Sequence, residues 1–393
     1  MRRLALLLLL FVAGCSAPQA AEESLWGPVL TLGQAEQAAG PTIWVQDTVV
    51  TAAWVGADER GVHQDARIAA GTTMNDTITL PLPPVHPYDQ MLLPALSDKH
   101  HLLWLDANPN GEQRLLAALL TDDLKIERGP TEISNLLTLR YSAVALGDGS
   151  ILIVWSGGLL AESRIYLQRI DVRGLPQPAV LLQDNADWPA LAMDNKGVIH
   201  LFWLQSTDAV LHYGQVVDQR LNNVMVITPG MQLGFGDRLH DVYAALDQTH
   251  VYLVWNNTPV DGDAQSWLLS GTRDGISWQA PRRLGVEVFE GDFQTGLNSG
   301  QVQSARSGSR WLSWAAPALG QFDVLPVAAR SNNVLSITYL QAGSIVGFQT
   351  IATTTPLIGP PQLRIDRERH LYLSWADPLD TGMAALKLTT TRR

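Results

Sequence analysis

An apolar segment ending in tryptophan recurs seven times along this chain, and no other feature constrains the fold as strongly. VVTAAW ends at Trp54, KHHLLW at Trp104, ILIVW at Trp155 and VIHLFW at Trp203. HVYLVW ends at Trp255, SRWLSW at Trp314 and HLYLSW at Trp375. The intervals are 50, 51, 48, 52, 59 and 61 residues. Thirteen of the 393 residues are tryptophan, so seven in phase mark a repeated unit. Asp47, Asp98, Asp148, Asp194, Asp247 and Asp366 precede six of these tryptophans by six to nine residues, and Ser307-Gly308-Ser309 stands in that place before Trp314. Asp, Asn and Gly suit a tight hairpin turn, where the chain needs local hydrogen bonds or positive φ. Each unit therefore reads as a strand, an Asp-bearing turn and a second strand ending in Trp. A third strand follows, such as VLHYGQVV at 210–217, and often a fourth, such as PAVLLQD at 178–184.

Four short strands repeated about every fifty residues describe a β-propeller blade. One blade cannot bury both of its faces alone. Packed radially, each sheet covers its neighbour, and a Trp at the same place in each blade fills the same gap between blades. The seven tryptophans are thus expected in the core. The fold class is all-β, a propeller of seven four-stranded blades, with a six-bladed ring plus a separate N-terminal piece as the alternative. The last unit ends without a fourth strand, and WGPVLTLG at 26–33 resembles the fourth strand of the other units. That segment is expected to pair with the last blade and close the ring, which removes exposed sheet edges. No domain boundary is visible between 40 and 393, so 26–393 reads as one propeller domain. The two long intervals imply insertions at 286–299 and near 316–333, and long loops on rigid scaffolds often carry function.

The N-terminus sets the expected address. MRRLALLLLLFVAGC begins with Arg2 and Arg3, followed by apolar residues from Leu4 to Ala13. Ten apolar residues fall short of the roughly 20 that span a bilayer, and the layout is that of a secretory leader. Val12-Ala13-Gly14-Cys15 resembles the lipobox of bacterial lipoproteins. The resemblance implies removal of 1–14 as a signal peptide, lipidation of Cys15, and a tether at 15–25. It also implies extracytoplasmic anchoring to the cell membrane or the outer membrane, with the lipid as the contact to the membrane. Ser16 stands where Gram-negative lipoproteins retained at the inner membrane carry aspartate. Cys15 is the one cysteine in the sequence, so no internal disulfide can staple the domain.

The net charge of −11 becomes −13 once Arg2 and Arg3 leave with the leader. Lysine occurs only at 99, 125, 196 and 387. Without a basic cluster the chain cannot neutralise phosphates, which argues against nucleic acid as a partner. A monomer is expected.

Thr272-Arg273-Asp274-Gly275-Ile276-Ser277-Trp278 resembles the Asp-box of sialidase-like (BNR-repeat) propellers. The resemblance implies that Asp274 and Gly275 form a hairpin cap between third and fourth strands, with Trp278 packed beneath. It extends to the fold over most of 26–393 but not to catalysis. The Arg-Ile-Pro motif of sialidases is missing, and their Tyr–Glu nucleophile pair has no assignable counterpart.

Ligands of propellers usually meet the loops that lead into the innermost strands. Those loops carry Tyr88, Asp89, Arg140, Tyr141, Asp184, Asp187, Trp188, Asp237, Arg238, His240, Asp241 and Asp292. Paired carboxylates can perform acid–base work on glycosides, and aromatic faces stack on sugars. The same residues also fit a solvated rim of turn-forming Asp and Asn. Asp106, Asn108 and Asn110, with Gly111, match the first half of a calcium loop, so Ca²⁺ is the one cofactor to consider. The closing Glu is replaced by Ala117, and Asn-Gly is equally a hairpin turn. No catalytic triad, phosphate loop or zinc spacing is present. The leading expectation is a surface-anchored propeller that binds a protein or glycan at the cell envelope without catalysis. A sialidase-like glycan-cleaving hydrolase and an envelope-assembly scaffold are the alternatives.

Overall fold

Burial along the strands explains why these segments form a ring. Ile151–Gly157 is buried at every position, whereas Val180–Asp184, two strands further on in the chain order, is half-buried or exposed throughout. A strand covered on both faces reads as a continuous apolar run, and one near the perimeter does not. The repeat thus encodes a radial gradient from a dry interior to a wet edge.

The structure, a computed structural model, describes residues 26–391 apart from 37–39, 60, 83–86, 108–109, 111, 135, 159–161, 207–209, 228–237, 259–264, 285–312, 319–320, 332–333 and 353–359. Seven antiparallel sheets form a seven-bladed propeller, with no α-helix among the described residues. The innermost strands, blades 1 to 7 in chain order, are Thr42–Gln46, Pro87–Pro94, Thr138–Ala145, Ala186–Met193, Arg238–Asp247, Ser313–Pro317 and Gln362–Ile365. Each packs against the innermost strands on either side, and Gln362–Ile365 meets Thr42–Gln46 to close the circle. In blade 1 the outer position is divided between Thr73–Met74 and Ile78–Leu80. In blade 5, Gln321–Phe322 adds in parallel at Leu246 and Asp247.

Closure follows the expectation from the sequence. Leu30–Ala35 pairs antiparallel with Ala384–Thr390 and supplies the fourth strand of blade 7. Trp26 bridges to Thr391 and packs into the core between blades 6 and 7. Deleting residues up to Ala35 leaves the last sheet with an open edge and Trp375 with a lost neighbour. That truncation is expected to abolish the cooperative melt of the whole ring and to favour aggregation, as read by calorimetry and light scattering.

Trp54, Trp104, Trp155, Trp203, Trp255 and Trp375 all lie on second strands and are between 0 and 3 % exposed. Each fills a gap between neighbouring blades. Trp314 departs from the pattern. Its strand, Ser313–Pro317, sits at one edge of the blade 6 ladder and packs against the innermost strands of blades 5 and 7, so it is the first strand and not the second. Leu325–Ser331 takes the second position. Innermost and second strands are both apolar in sequence, so only pairing distinguishes them.

The repeated aspartates are turn residues. Asp194 Oδ1 accepts hydrogen bonds from the amides of Lys196 and Val198 at 2.9 and 2.8 Å, and Asp148 Oδ1 accepts from Ser150 at 3.0 Å. Asp247 accepts from Thr249 and His250 at 2.7 and 2.6 Å and from Ala342 of blade 6 at 2.9 Å. The 272–278 segment is also a turn. Asp274 Oδ1 accepts from the Ile276 amide at 3.0 Å, and Trp278 Nε1 donates to the Gly275 carbonyl at 2.8 Å. Trp278 packs edge-on against Phe202 and Tyr213 of blade 4. Gly275 is required here, because its φ is +77° and a Cβ would lie 2.6 Å from the Tyr213 ring.

Candidate active site

The entrances to the innermost strands of blades 2, 3 and 4 carry matching irregularities. The register shifts between Tyr88 and Met91, between Thr138 and Arg140, and between Asp187 and Ala190. Such bulges re-aim side chains and are common beside active sites. Asp89 has φ +50° and Trp188 φ +56°. A bulky aromatic residue in the left-handed region is a real outlier, and strain of this kind gathers at functional sites.

The bulges bring four side chains together around one guanidinium. Arg140 Nη1 donates to Asp187 Oδ2 at 2.9 Å. The Arg140 Cζ lies 3.4 Å from the centroid of the Trp188 ring, a cation–π contact. The second Asp187 oxygen accepts from the Trp188 amide at 2.7 Å. On the other side Arg140 acts electrostatically on Asp89 and Tyr88. Burial works against the Arg140 charge, and Asp187, Asp89 and Tyr88 counter it in that order.

Asp89 has an unusual setting. Its surface is exposed, yet protein surrounds it densely enough to strip most of the bulk-water screening from its carboxyl. Asp89 stands in the bulge at the entrance to the innermost strand of blade 2. Desolvation pushes its pKa up to about 6, with the Arg140 charge opposing the shift. A carboxyl poised near neutrality can give and take a proton at working pH. Tyr88 is held in its neutral form, first by burial and then by the adjacent Asp89 charge. Its hydroxyl is buried with no hydrogen-bond partner among the described residues.

Tyr141 supports the strand that carries Asp89. It is buried, and its hydroxyl donates to the Asp89 carbonyl at 2.5 Å and to that of Leu103 at 3.3 Å. It thus holds the bulge that presents Asp89. Asp184 ends an outer strand and pairs with Arg164 at 3.0 Å, away from the cluster. Arg238, His240 and Asp241 lie on the innermost strand of blade 5, their side chains outside the described residues, as are Asp237 and Asp292. Asp106 is buried beside Tyr88 on the second strand of blade 2, Asn108 lies outside the described residues, and Asn110 is in the following turn. No group of three or more His, Cys, Asp or Glu side chains converges on a metal site among the described residues. Sequence reasoning overlooked Arg364, a buried arginine on the innermost strand of blade 7. The available signal was a lone charge inside the apolar run QLRI.

Replacing Arg140 by methionine leaves the Asp187 carboxylate, 8 % exposed, without its cation. We expect a loss of about 2–3 kcal/mol in stability by denaturant unfolding, because the stranded charge costs more than the pair contributed. The double variant Arg140→Met, Asp187→Leu is expected to recover most of that loss.

No protein-family profile matches the sequence, and no curated protein sequence matches it. Solved structures do match. A PL25 ulvan lyase bound to a GlcA(1-4)Rha3S unit aligns with a TM-score of 0.56 at 8 % identity, over 91 % of this chain and 95 % of that one. The polysaccharide lyase Uly1 aligns with a TM-score of 0.53 at 11 % identity, over 92 % of this chain and 91 % of that one. At such identity the likeness establishes a shared architecture. Both neighbours are polysaccharide-degrading enzymes, and against them the expectation of a propeller that binds without catalysis does not stand.

Proposed function

We propose that this protein cleaves a polysaccharide at the strand entrances of blades 2, 3 and 4. The observation that carries the reading is Asp89, an exposed carboxyl near neutral pKa beside a paired arginine and a strained tryptophan. The polysaccharide lyases that share the architecture support it. Asp187 is committed to Arg140 and to the Trp188 amide, so Asp89 is the carboxyl of the cluster left for chemistry among the described residues. Hydrolysis in its usual form uses two carboxyls. One base fits β-elimination at a uronate better. Asp89 takes the proton from the carbon next to the sugar carboxylate, the C4–O4 bond breaks, a C4–C5 double bond forms, and the leaving oxygen takes up a proton. Arg140 keeps guanidinium donors beyond the one bound to Asp187 that a sugar carboxylate can use, and the Trp188 ring offers a face for stacking. The sialidase-like turn at 272–278 lies between the third and fourth strands of blade 5 and contributes nothing to this chemistry.

The test is incubation with uronate-containing polysaccharides while following unsaturated product by ultraviolet absorbance and new reducing ends by a colour assay. Both signals together support elimination. Reducing ends without unsaturation mean hydrolysis, and cleavage of no glycan removes the proposal. We further propose that the enzyme works at the cell envelope, anchored through Cys15. A Cys15→Ser variant is then expected to move from the detergent phase to the aqueous phase on partition.

A further inference from the structure

The seam where blade 7 meets blade 1 holds a cavity that the rim chemistry does not use. Its volume is about 340 Å³, at the small end of the range for ligand sites. Val50, Ala69, Tyr372 and Leu388 line it and are buried, and Thr72 and His370 stand on its more open walls. Thr48 and Gly71 border it from the turns that follow the first and third strands of blade 1. Asp89 and Trp188 stand where the chain enters first strands. The cavity therefore opens at the opposite end of the strands.

The matching place between blades 4 and 5 is filled. With the second-strand tryptophans as a common level, the ladders align the two gaps residue by residue. Trp203 pairs with His212 and Trp375 with Lys387, so Tyr213 corresponds to Leu388. Trp255 pairs with Trp267 and Trp54 with Asp65, so Gly271 corresponds to Ala69. Val251 and Val50 each precede their tryptophan by four residues. Around Tyr213, Gly271 and Val251 lies the ring of Trp278. It packs edge-on against Tyr213, shares a core cluster with Val251, and would collide with a Cβ on Gly271.

The partner positions explain why one gap is full and the other open. Gly271 bridges to Trp278, and Ala69 pairs with Met74. Seven residues separate the first pair and five the second, so blade 1 carries a narrower side chain on a shorter turn. Met74 packs against the core of the seam and leaves the slot open. An aromatic ring in such a slot is held by edge-on contact and by the area it buries. Tyr372 supplies the aromatic wall, and His370 supplies a polar contact. Asp366 Oδ2 accepts from His370 Nδ1 at 2.9 Å, which leaves Nε2 of the neutral ring as an acceptor. We propose that this cavity binds a small planar aromatic molecule bearing an N–H or O–H donor, of the indole or phenol class, whose ring takes the place that Trp278 fills between blades 4 and 5. The site is independent of the polysaccharide chemistry, and its occupancy braces the seam that Leu30–Ala35 closes.

Thermal melts of the full chain with indole, p-cresol and cyclohexanol test this. Indole or p-cresol is expected to raise Tm in a saturable way, by roughly 3–4 °C at a hundredfold excess over Kd for a chain of this size. Cyclohexanol is of similar size but not planar, and no such rise is expected with it. Thr72→Trp places a bulky ring at the exposed mouth of the cavity, and the response is expected to be lost. No saturable rise with either aromatic, an equal rise with cyclohexanol, or an unchanged response in the variant overturns the proposal. Should the variant fail to fold, crystals of the unsubstituted protein soaked in 5-bromoindole decide. An anomalous peak between Ala69 and Tyr372 supports the site, and its absence overturns it.

Discussion

Asp89→Asn is expected to cut polysaccharide turnover about 10²–10⁴-fold, the usual worth of a positioned proton-transfer group. The residue is exposed, and the amide keeps its shape, so the fold should survive. Stability should move the other way. The Asp89 pKa is raised from an ordinary carboxyl value to about 6 in the folded chain. Between those two values the native state holds a proton that the unfolded chain has released. Stability therefore falls as pH rises through that window, and Asp89 works against the fold at neutral pH. Asparagine carries no such charge. The variant should melt higher than the parent at pH 7, and the two should converge below pH 4. The parent's activity should rise with pH through a limb near 6, where Asp89 becomes a base. A variant of unchanged activity ends the case for Asp89. Lost activity with a lowered melt at pH 7 makes it a structural residue instead.

Trp203→Ala should produce a large loss of stability. The side chain is fully buried, donates from Nε1 to Gln205 Oε1 at 3.3 Å, and stacks on His212. It packs in the core that joins blades 3 and 4. Truncating an aromatic side chain in such a place costs about 3–5 kcal/mol, through lost transfer energy and the cavity left behind. Denaturant unfolding followed by fluorescence would show this as a lowered midpoint with an unchanged slope. The site residues Arg140 and Asp187 belong to the same pair of blades. Residual activity of the folded fraction therefore reports how far a defect in the core spreads to the rim.

The sequence disclosed the ring because its core is built from one instruction repeated. An apolar second strand ending in Trp has a buried place at six matching positions, and the aspartates before them sit in the turns that precede those strands. Closure by 26–33 was legible as well, because a strand missing at one end of the chain and present at the other has one partner that satisfies both. Of the rim residues singled out beforehand, Tyr88, Asp89, Arg140, Asp187 and Trp188 do come together. Their types and loop positions were visible in the sequence, but their roles were not. Tyr141 and Asp184 have the same composition signal and serve other ends.

What the sequence determined by itself was periodicity: fold class, blade number, closure and the identity of the core, since burial leaves a mark at every repeat. What only the tertiary structure decided was everything that depends on residues of different blades meeting. The bulges at Asp89 and Trp188, the pairing of Arg140 with Asp187 across two blades, and the first-strand position of Trp314 are of this kind. The physical reason is that hydrophobic burial acts on many residues with a regular period. A pKa or an ion pair is set by a few neighbours distant in the chain, and these leave no period to read.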